Sequence, residues 1–129
     1  IAVGANDVTH LTGVSGVRHS AQQTISSLRE ANPSVRIILT GAPDMGSPRR
    51  IPPPLRQLAG ERTKALNAAL CELADDRTVF FAPIAERTGP AFRKNAGLFA
   101  ADNFHPTTDG YKLWTPVITP YLDKALAGR

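Results

Sequence analysis

The chain has 129 residues, of which 42% are apolar, and 15 basic against 11 acidic residues give a formal net charge of +4. That length allows one domain of ordinary size, and the apolar content is too high for a disordered chain. The sequence has no basic stripe of a nucleic-acid binder, no disulfide partner for its single Cys71, and no run near the about 18 apolar residues of a membrane span.

Three short apolar runs predict buried parallel strands. They are Ile1–Val3, Val35–Leu39 and Thr78–Phe81. Each consists mostly of β-branched or aromatic residues, and a Gly or Pro follows within two residues. That combination is typical of a fully buried strand that ends in a turn.

Helices are predicted between and after the strands. Apolar residues recur at steps of three and four over residues 15–30, 55–74 and 108–126. Pro116 and Pro120 are expected to kink or split the last of these helices. The resulting order, β-α-β-α-β-loop-α, predicts an α/β fold with a parallel sheet, whose ligand site lies at the carboxyl ends of the strands.

The segment Gly4-Ala5-Asn6-Asp7 directly follows the first predicted strand. Glycine permits a sharp turn there, and Asn6 places an uncharged amide donor at the sheet's carboxyl edge. Such a donor can stabilise an oxyanion. The alternative is a plain turn, since Asn and Asp are ordinary turn residues.

The segment Asp102-Asn103-Phe104-His105-Pro106 precedes the last predicted helix. A carboxylate three residues before an imidazole can fold back to its Nδ1–H, which leaves Nε2 free as a general base. The alternative is a loop histidine bonded to its neighbours. Thr107 to Asp109 are typical of a helix N-terminus, so Asp109 is interpreted as a partner of the helix dipole.

Taken together, these two segments resemble the SGNH hydrolases, also called the GDSL lipase/esterase family. That family carries a G-x-N-D block and, before its last helix, a D-x-x-H block. The resemblance covers essentially the whole chain and implies a three-layer, flavodoxin-like α/β sandwich, of which strands three to five are present here. It implies that Asn6 is an oxyanion donor, His105 the general base and Asp102 its orienting carboxylate. The implied reaction is ester hydrolysis through an acyl-serine, without a metal or organic cofactor.

The family's nucleophile lies in a G-D-S block, and no G-D-S occurs in these 129 residues. The resemblance therefore implies that residues 1–129 are the carboxyl-terminal part of one domain. Its missing amino-terminal half is then the expected partner, and that half supplies the serine. Ser47 lies on the correct side of the sheet, but its surroundings do not resemble a nucleophile turn. The competing hypothesis is a non-catalytic binding module on the same scaffold.

The rest of the site is less specified by the sequence. Residues 44–54 and 86–101 are predicted as loops that form its mouth. Cys71 is expected to be a small buried residue of the second helix. Small-molecule, lipid and carbohydrate esters all remain possible substrates, and the compartment stays open, including a secreted or cell-envelope location. Five apolar residues of these loops either line an acyl pocket or pack the loops: Met45, Ile51, Phe92, Leu98 and Phe99.

Overall fold

The computed structural model describes residues 1–127, which form helices around a small parallel sheet. This arrangement confirms the predicted α/β class. The elements of the described residues, besides a short 3₁₀ turn at Ala96–Leu98, are α1 Ala5–Thr9, α2 Val14–Ala31, β1 Ile37–Leu39, α3 Leu55–Cys71, β2 Val79–Phe81, α4 Ile84–Lys94, α5 Thr108–Lys112 and α6 Thr115–Ala127.

The sheet pairs β1 with β2 in parallel over three residues of each strand. Residues 1–3 lie along the opposite edge of β1. The amino group of Ile1 donates to the carbonyl of Ile38 at 2.6 Å, and the Thr40 N–H donates to the carbonyl of Ile1 at 3.1 Å. The three predicted strand segments are therefore neighbours, in the order in which they occur along the chain.

The prediction of a strand at Ile1–Val3 is nevertheless wrong, because Ile1 is the only one of these three residues that makes a hydrogen bond to β1 within the described part of the chain. Gly4 has φ of 111° and turns the chain directly into α1. A side chain at this position would be strained by that φ, and its Cβ would lie 2.9 Å from Leu66 Cδ2. Glycine thus ends the extended segment and brings α1 against α3.

The other two strands start later than predicted because turns occupy the residues before them. The Val35 N–H donates to the carbonyl of Asn32 at 3.0 Å. The Thr78 N–H donates to the carboxylate of Asp75 at 2.7 Å. The N–H groups of these residues are therefore engaged within the turns, although the Thr78 carbonyl still accepts from the Ile37 N–H of β1 at 2.8 Å.

The helices predicted over residues 15–30 and 55–74 are confirmed as α2 and α3, with α3 ending at Cys71 instead of residue 74. The α2 side chain Val17 packs against α3, and Ile25 packs against both strands. After Cys71 the chain tightens, since the Ala74 N–H donates to the Cys71 carbonyl three residues earlier. These contacts hold α2 against α3 and the sheet, and they fix the position of the sheet edge at which the candidate site lies.

Helix α4 corrects the prediction that residues 86–101 form a loop. The Gly89-Pro90 pair indicated a loop, because proline lacks the N–H that donates to the hydrogen-bond ladder of a helix. The buried residues Ile84, Thr88 and Phe92 recur at steps of four, which is the signal that could have revealed this helix.

The last predicted helix is split in two, but ahead of Pro116 and Pro120 and not at them. The chain separates into α5 and α6 around Leu113 and Trp114. Pro116 lies in the first turn of α6, where a missing N–H costs no intrahelical hydrogen bond. Pro120 lies inside α6.

Candidate active site

The loop between the 3₁₀ turn and α5 carries the predicted aspartate and histidine. Its two ends pair as an antiparallel bridge between Phe99 and Pro106. The Ala100 N–H donates to the carbonyl of His105 at 2.8 Å, and the Thr107 hydroxyl caps α5 by accepting from the Gly110 N–H. The loop is thus closed at its base and holds residues 101–105 at its tip.

Asp102 folds back onto His105 as the spacing predicts. Its Oδ2 accepts from the imidazole Nδ1–H at 2.6 Å, and its Oδ1 accepts from the backbone N–H groups of Phe104 and His105, both at 3.0 Å. The imidazole and these two N–H groups lower the pKa of Asp102 to about 2, so it is ionised at neutral pH. An ionised carboxylate only accepts hydrogen bonds, so Nδ1 carries a proton, and in the neutral imidazole Nε2 then keeps its lone pair.

The His105 ring is open to its surroundings. Its side chain is 66% exposed, and Nε2 makes no hydrogen bond to any residue of 1–127. The Phe104 ring stands edge-on to it, with ring centroids 5.1 Å apart. Nδ1 is therefore held by Asp102, while Nε2 is available to a substrate or to a further residue.

Asn6 lies in the first turn of α1, directly after the glycine turn. Its backbone carbonyl accepts from the His10 N–H at 2.8 Å, which ties the residue into the helix. Its side-chain amide is exposed and makes no hydrogen bond within the described part of the chain. The amide therefore has both donor hydrogens free.

Asn6 and His105 line the same cavity, of about 560 Å³, although they are 99 positions apart in the sequence. We call this the site cavity. Much of the rest of its wall is apolar. Among the predicted mouth residues, Met45, Phe92 and Phe99 line it, whereas Ile51 and Leu98 pack against neighbouring core residues instead. Wall residues that the sequence analysis missed include Ile84, Tyr111 and Trp114.

The sequence offered a partial signal for these missed aromatic residues. Tyr111 and Trp114 are three positions apart, a spacing that places them on one face of a helix, and their rings meet edge-on at 5.0 Å. They follow the histidine loop directly, so the α5–α6 junction folds them back toward it.

Ser47 also lines the site cavity, but its hydroxyl is engaged elsewhere. The residue is 7% exposed, and its Oγ–H donates to the backbone carbonyl of Asp44 at 2.6 Å. Cys71 is exposed on α3 and does not line this cavity, which corrects the expectation that it is buried. His10 and His19 are likewise exposed and lie outside the cavity wall.

Within residues 1–127 there is no group of three or more His, Cys, Asp or Glu side chains that could hold a metal ion. The same part of the chain contains no helix with the length and apolar character needed to cross a membrane.

Comparison with known proteins places the chain in a family. The GDSL-like lipase/acylhydrolase family matches residues 1–113. The chain belongs to this family. The resemblance drawn from the two sequence blocks is thus confirmed, and the family implies the α/β SGNH fold and a hydrolase function in general terms.

A GDSL-like esterase from Mycobacterium tuberculosis is 32% identical to this chain over 128 residues. The match covers 98% of the chain and 40% of the relative, so the chain spans less than half of that esterase's length. No solved structure matches the chain significantly.

Proposed function

We propose that this chain is the carboxyl-terminal part of an SGNH-type ester hydrolase domain. Residues 1–3, β1 and β2 would take the places of strands three to five in a flavodoxin-like, three-layer sandwich. An upstream segment would add the remaining strands and the nucleophilic serine. The single observation that carries this proposal is that Asn6 and His105 line one cavity, with His105 oriented by Asp102.

The proposed reaction uses the free Nε2 of His105 as general base. Nε2 takes the proton of the serine hydroxyl as its oxygen attacks the ester carbonyl carbon. The side-chain N–H of Asn6 donates to the oxyanion of the tetrahedral intermediate. The protonated imidazole then gives its proton to the leaving alcohol, and the acyl-serine remains.

The second half of the reaction regenerates the enzyme. Nε2 takes a proton from water as the water oxygen attacks the acyl carbon, and the serine oxygen leaves with that proton. The carboxylic acid product is released. Asp102 stays ionised throughout and stabilises the imidazolium, so no metal or organic cofactor takes part in the proposed steps.

The substrate proposed is a small-molecule, lipid or carbohydrate ester with an apolar acyl group. Aromatic and aliphatic side chains around His105 favour such a group, because burial of apolar surface contributes about 25 cal/mol per Å². The polar leaving alcohol would then lie toward the exposed side of the imidazole. The expected partner is the amino-terminal half of the same domain, which would cover the partly exposed Ile1 and Val3.

The alternative is a non-catalytic binding module on the same scaffold. One observation favours it: no G-D-S block occurs in the 129 residues, and the hydroxyl of Ser47 is bound to a backbone carbonyl. A coding sequence with a G-D-S block upstream of Ile1 favours the enzyme, and one without it favours the binding module.

The direct test uses the product of the complete coding sequence and the hydrolysis of p-nitrophenyl butyrate. His105→Ala should lower kcat by about a thousandfold or more, because it removes the base of both steps. His19→Ala is the matched control, since His19 is an exposed histidine on α2 outside the site cavity. Equal rates for the two variants would exclude His105 as the base.

A further inference from the structure

A second cavity lies beside the site cavity. It has a volume of about 860 Å³ and is formed by α3, α4 and Tyr121 of α6. Asp44 lines both cavities. The two cavities therefore meet at Asp44, in the loop of residues 43–48 that follows β1 and lines the site cavity.

Asp44 is tied to α4 by a two-pronged ion pair. Arg93 donates from Nε to Oδ2 at 2.7 Å and from Nη2 to Oδ1 at 3.1 Å. The Asp44 side chain is only 10% exposed, whereas the Arg93 side chain is 54% exposed, so the carboxylate is shielded from solvent and the guanidinium is not. A planar guanidinium that meets both carboxylate oxygens fixes the orientation of the carboxylate as well as its position.

The same aspartate organises the loop around itself. Its Oδ1 also accepts from the Gly46 N–H at 3.0 Å. Its backbone carbonyl accepts from the N–H of Ser47 at 3.0 Å and from the Ser47 hydroxyl at 2.6 Å. Met45, between them, is 2% exposed and lines the site cavity. The position of this wall therefore depends on Asp44.

Two glycines allow the loop to approach the helices this closely. A Cβ at Gly89 of α4 would lie 2.8 Å from Oδ2 of Asp44. A Cβ at Gly46 would lie 2.9 Å from the Cα of Gly60 in α3. Both distances are too short for real contacts, so the loop fits between α3 and α4 only with glycine at these positions.

We propose that the Asp44–Arg93 ion pair holds residues 43–48 as the wall between the two cavities, and that this wall limits the length of acyl chain that the site accepts. The inference rests on the proposed ester hydrolysis and adds a specificity determinant to it. Asp44 and Arg93 are positioning residues, because they act on substrate through Met45 and the loop. When the pair is broken, the loop moves and a longer acyl chain can extend toward the second cavity.

The test measures kcat/KM for p-nitrophenyl esters from acetyl to dodecanoyl, again with the product of the complete coding sequence. Arg93→Met should raise the ratio of kcat/KM for dodecanoyl over butyryl esters about tenfold, mainly through KM of the long ester. Arg93→Lys, which keeps the charge without the fork, should give an intermediate ratio. Arg87→Met is the matched control, since Arg87 is an exposed arginine of α4 that lines neither cavity.

Gly89→Ala displaces Asp44 without removing a charge. Alanine favours a helix over glycine by about 1 kcal/mol, so the change does not weaken α4 through helix propensity. It should shift the acyl-length ratio in the same direction as Arg93→Met. This variant separates the position of the wall from any effect of losing the guanidinium.

The outcomes distinguish this inference from the proposed function. If the wild-type protein hydrolyses no ester, the proposed function fails and this inference fails with it. If the wild type is active and His105→Ala is not, but the acyl-length ratio of Arg93→Met and Gly89→Ala equals that of Arg87→Met, the inference alone is overturned. A shift in both variants, with partial retention in Arg93→Lys, supports it.

Discussion

The turns at Asp75 and Asp102 share one backbone construction. In each, Oδ1 of the aspartate accepts from the backbone N–H groups of the second and third residues after it. The distances are 2.9 and 2.7 Å in the first turn and 3.0 Å for both bonds in the second. In each, the residue directly after the aspartate has a left-handed φ, 54° at Asp76 and 56° at Asn103.

The turns differ in the partner of the second carboxylate oxygen. Oδ2 of Asp75 binds Arg29 at 2.9 Å and the Thr78 hydroxyl at 2.8 Å, so a permanently charged group completes that turn. Oδ2 of Asp102 binds the ring of His105, whose other nitrogen is left for the site cavity. The same type of turn thus precedes a strand when Oδ2 binds an arginine, and it orients a histidine for catalysis when Oδ2 binds an imidazole.

Of the two turn variants, Asp102→Asn should have the larger effect on activity. Asparagine keeps an oxygen for the two backbone N–H groups, but it cannot stabilise an imidazolium or fix the tautomer. We expect kcat for p-nitrophenyl butyrate to fall by about 10²–10⁴. Asp75→Asn, the same change in the other turn, should leave kcat within about twofold. Comparable losses in both variants would contradict the distinction drawn between the turns.

Asp75→Asn should have the larger effect on stability. It removes the ion pair with Arg29 and weakens the three hydrogen bonds that the backbone N–H groups of residues 77–79 donate to Asp75 at the start of β2. Because the side chains are partly exposed, we expect a loss of about 1 kcal/mol in the free energy of unfolding, measured with urea. A loss from Asp102→Asn that exceeds this value would show that the histidine loop carries more of the fold than its exposure indicates.

Acid should weaken the turn at Asp75. Burial alone would raise the pKa of Asp75, but its hydrogen bonds from the backbone N–H groups of Val79, Thr78 and Arg77 lower it well below the usual range. A lowered pKa stabilises the fold above the unfolded value of 3.8, and this stabilisation is lost as the pH falls through the folded value. Urea midpoints between pH 5 and pH 2 should therefore fall less steeply in Asp75→Asn than in the wild type. Equal slopes in the two proteins would contradict this role of the carboxylate.

The smallest effect is expected from glycine at the two left-handed positions. Asp76→Gly and Asn103→Gly should each change stability by less than about 1 kcal/mol, because glycine adopts this φ freely but gains entropy in the unfolded chain. Alanine at the same positions should cost more than glycine, since its Cβ makes the left-handed region unfavourable. A thermal unfolding series of the four variants measures this, and an alanine variant as stable as its glycine counterpart would disagree with it.

The sequence predicts local features of this comparison well. The three-residue spacing from Asp102 to His105 was sufficient to predict their contact, because both partners lie in one turn. Strands β1 and β2 were predicted from short runs of β-branched and aromatic residues, and α2 was predicted because its apolar residues recur at steps of three and four. The Asp75 turn was not predicted. Its effect on the fold is that β2 starts one residue later than expected.

Contacts between residues far apart in the sequence were harder to predict. The Asp44–Arg93 pair joins residues 49 positions apart, and nothing in the spacing of either residue indicates its partner. Helix α4 was missed because Gly89 and Pro90 resemble a loop, although Gly89 is there to admit the carboxylate of Asp44. The joint placement of Asn6 and His105 was inferred from the rule that parallel strands share a carboxyl edge, which needs no pairwise signal.

The central claim is that Asn6 and His105 act on one reacting group, and a double-mutant cycle tests it most directly. Hydrolysis of p-nitrophenyl butyrate is measured for wild type, Asn6→Ala, His105→Ala and the double variant, each made from the complete coding sequence. Asn6→Ala alone should lower kcat by about 10²–10³. The account predicts that the double variant is less than about tenfold slower than His105→Ala, because residues that act as a unit are strongly non-additive. A double variant whose loss equals the product of the two single losses, or an Asn6→Ala variant with the wild-type rate, would contradict the account.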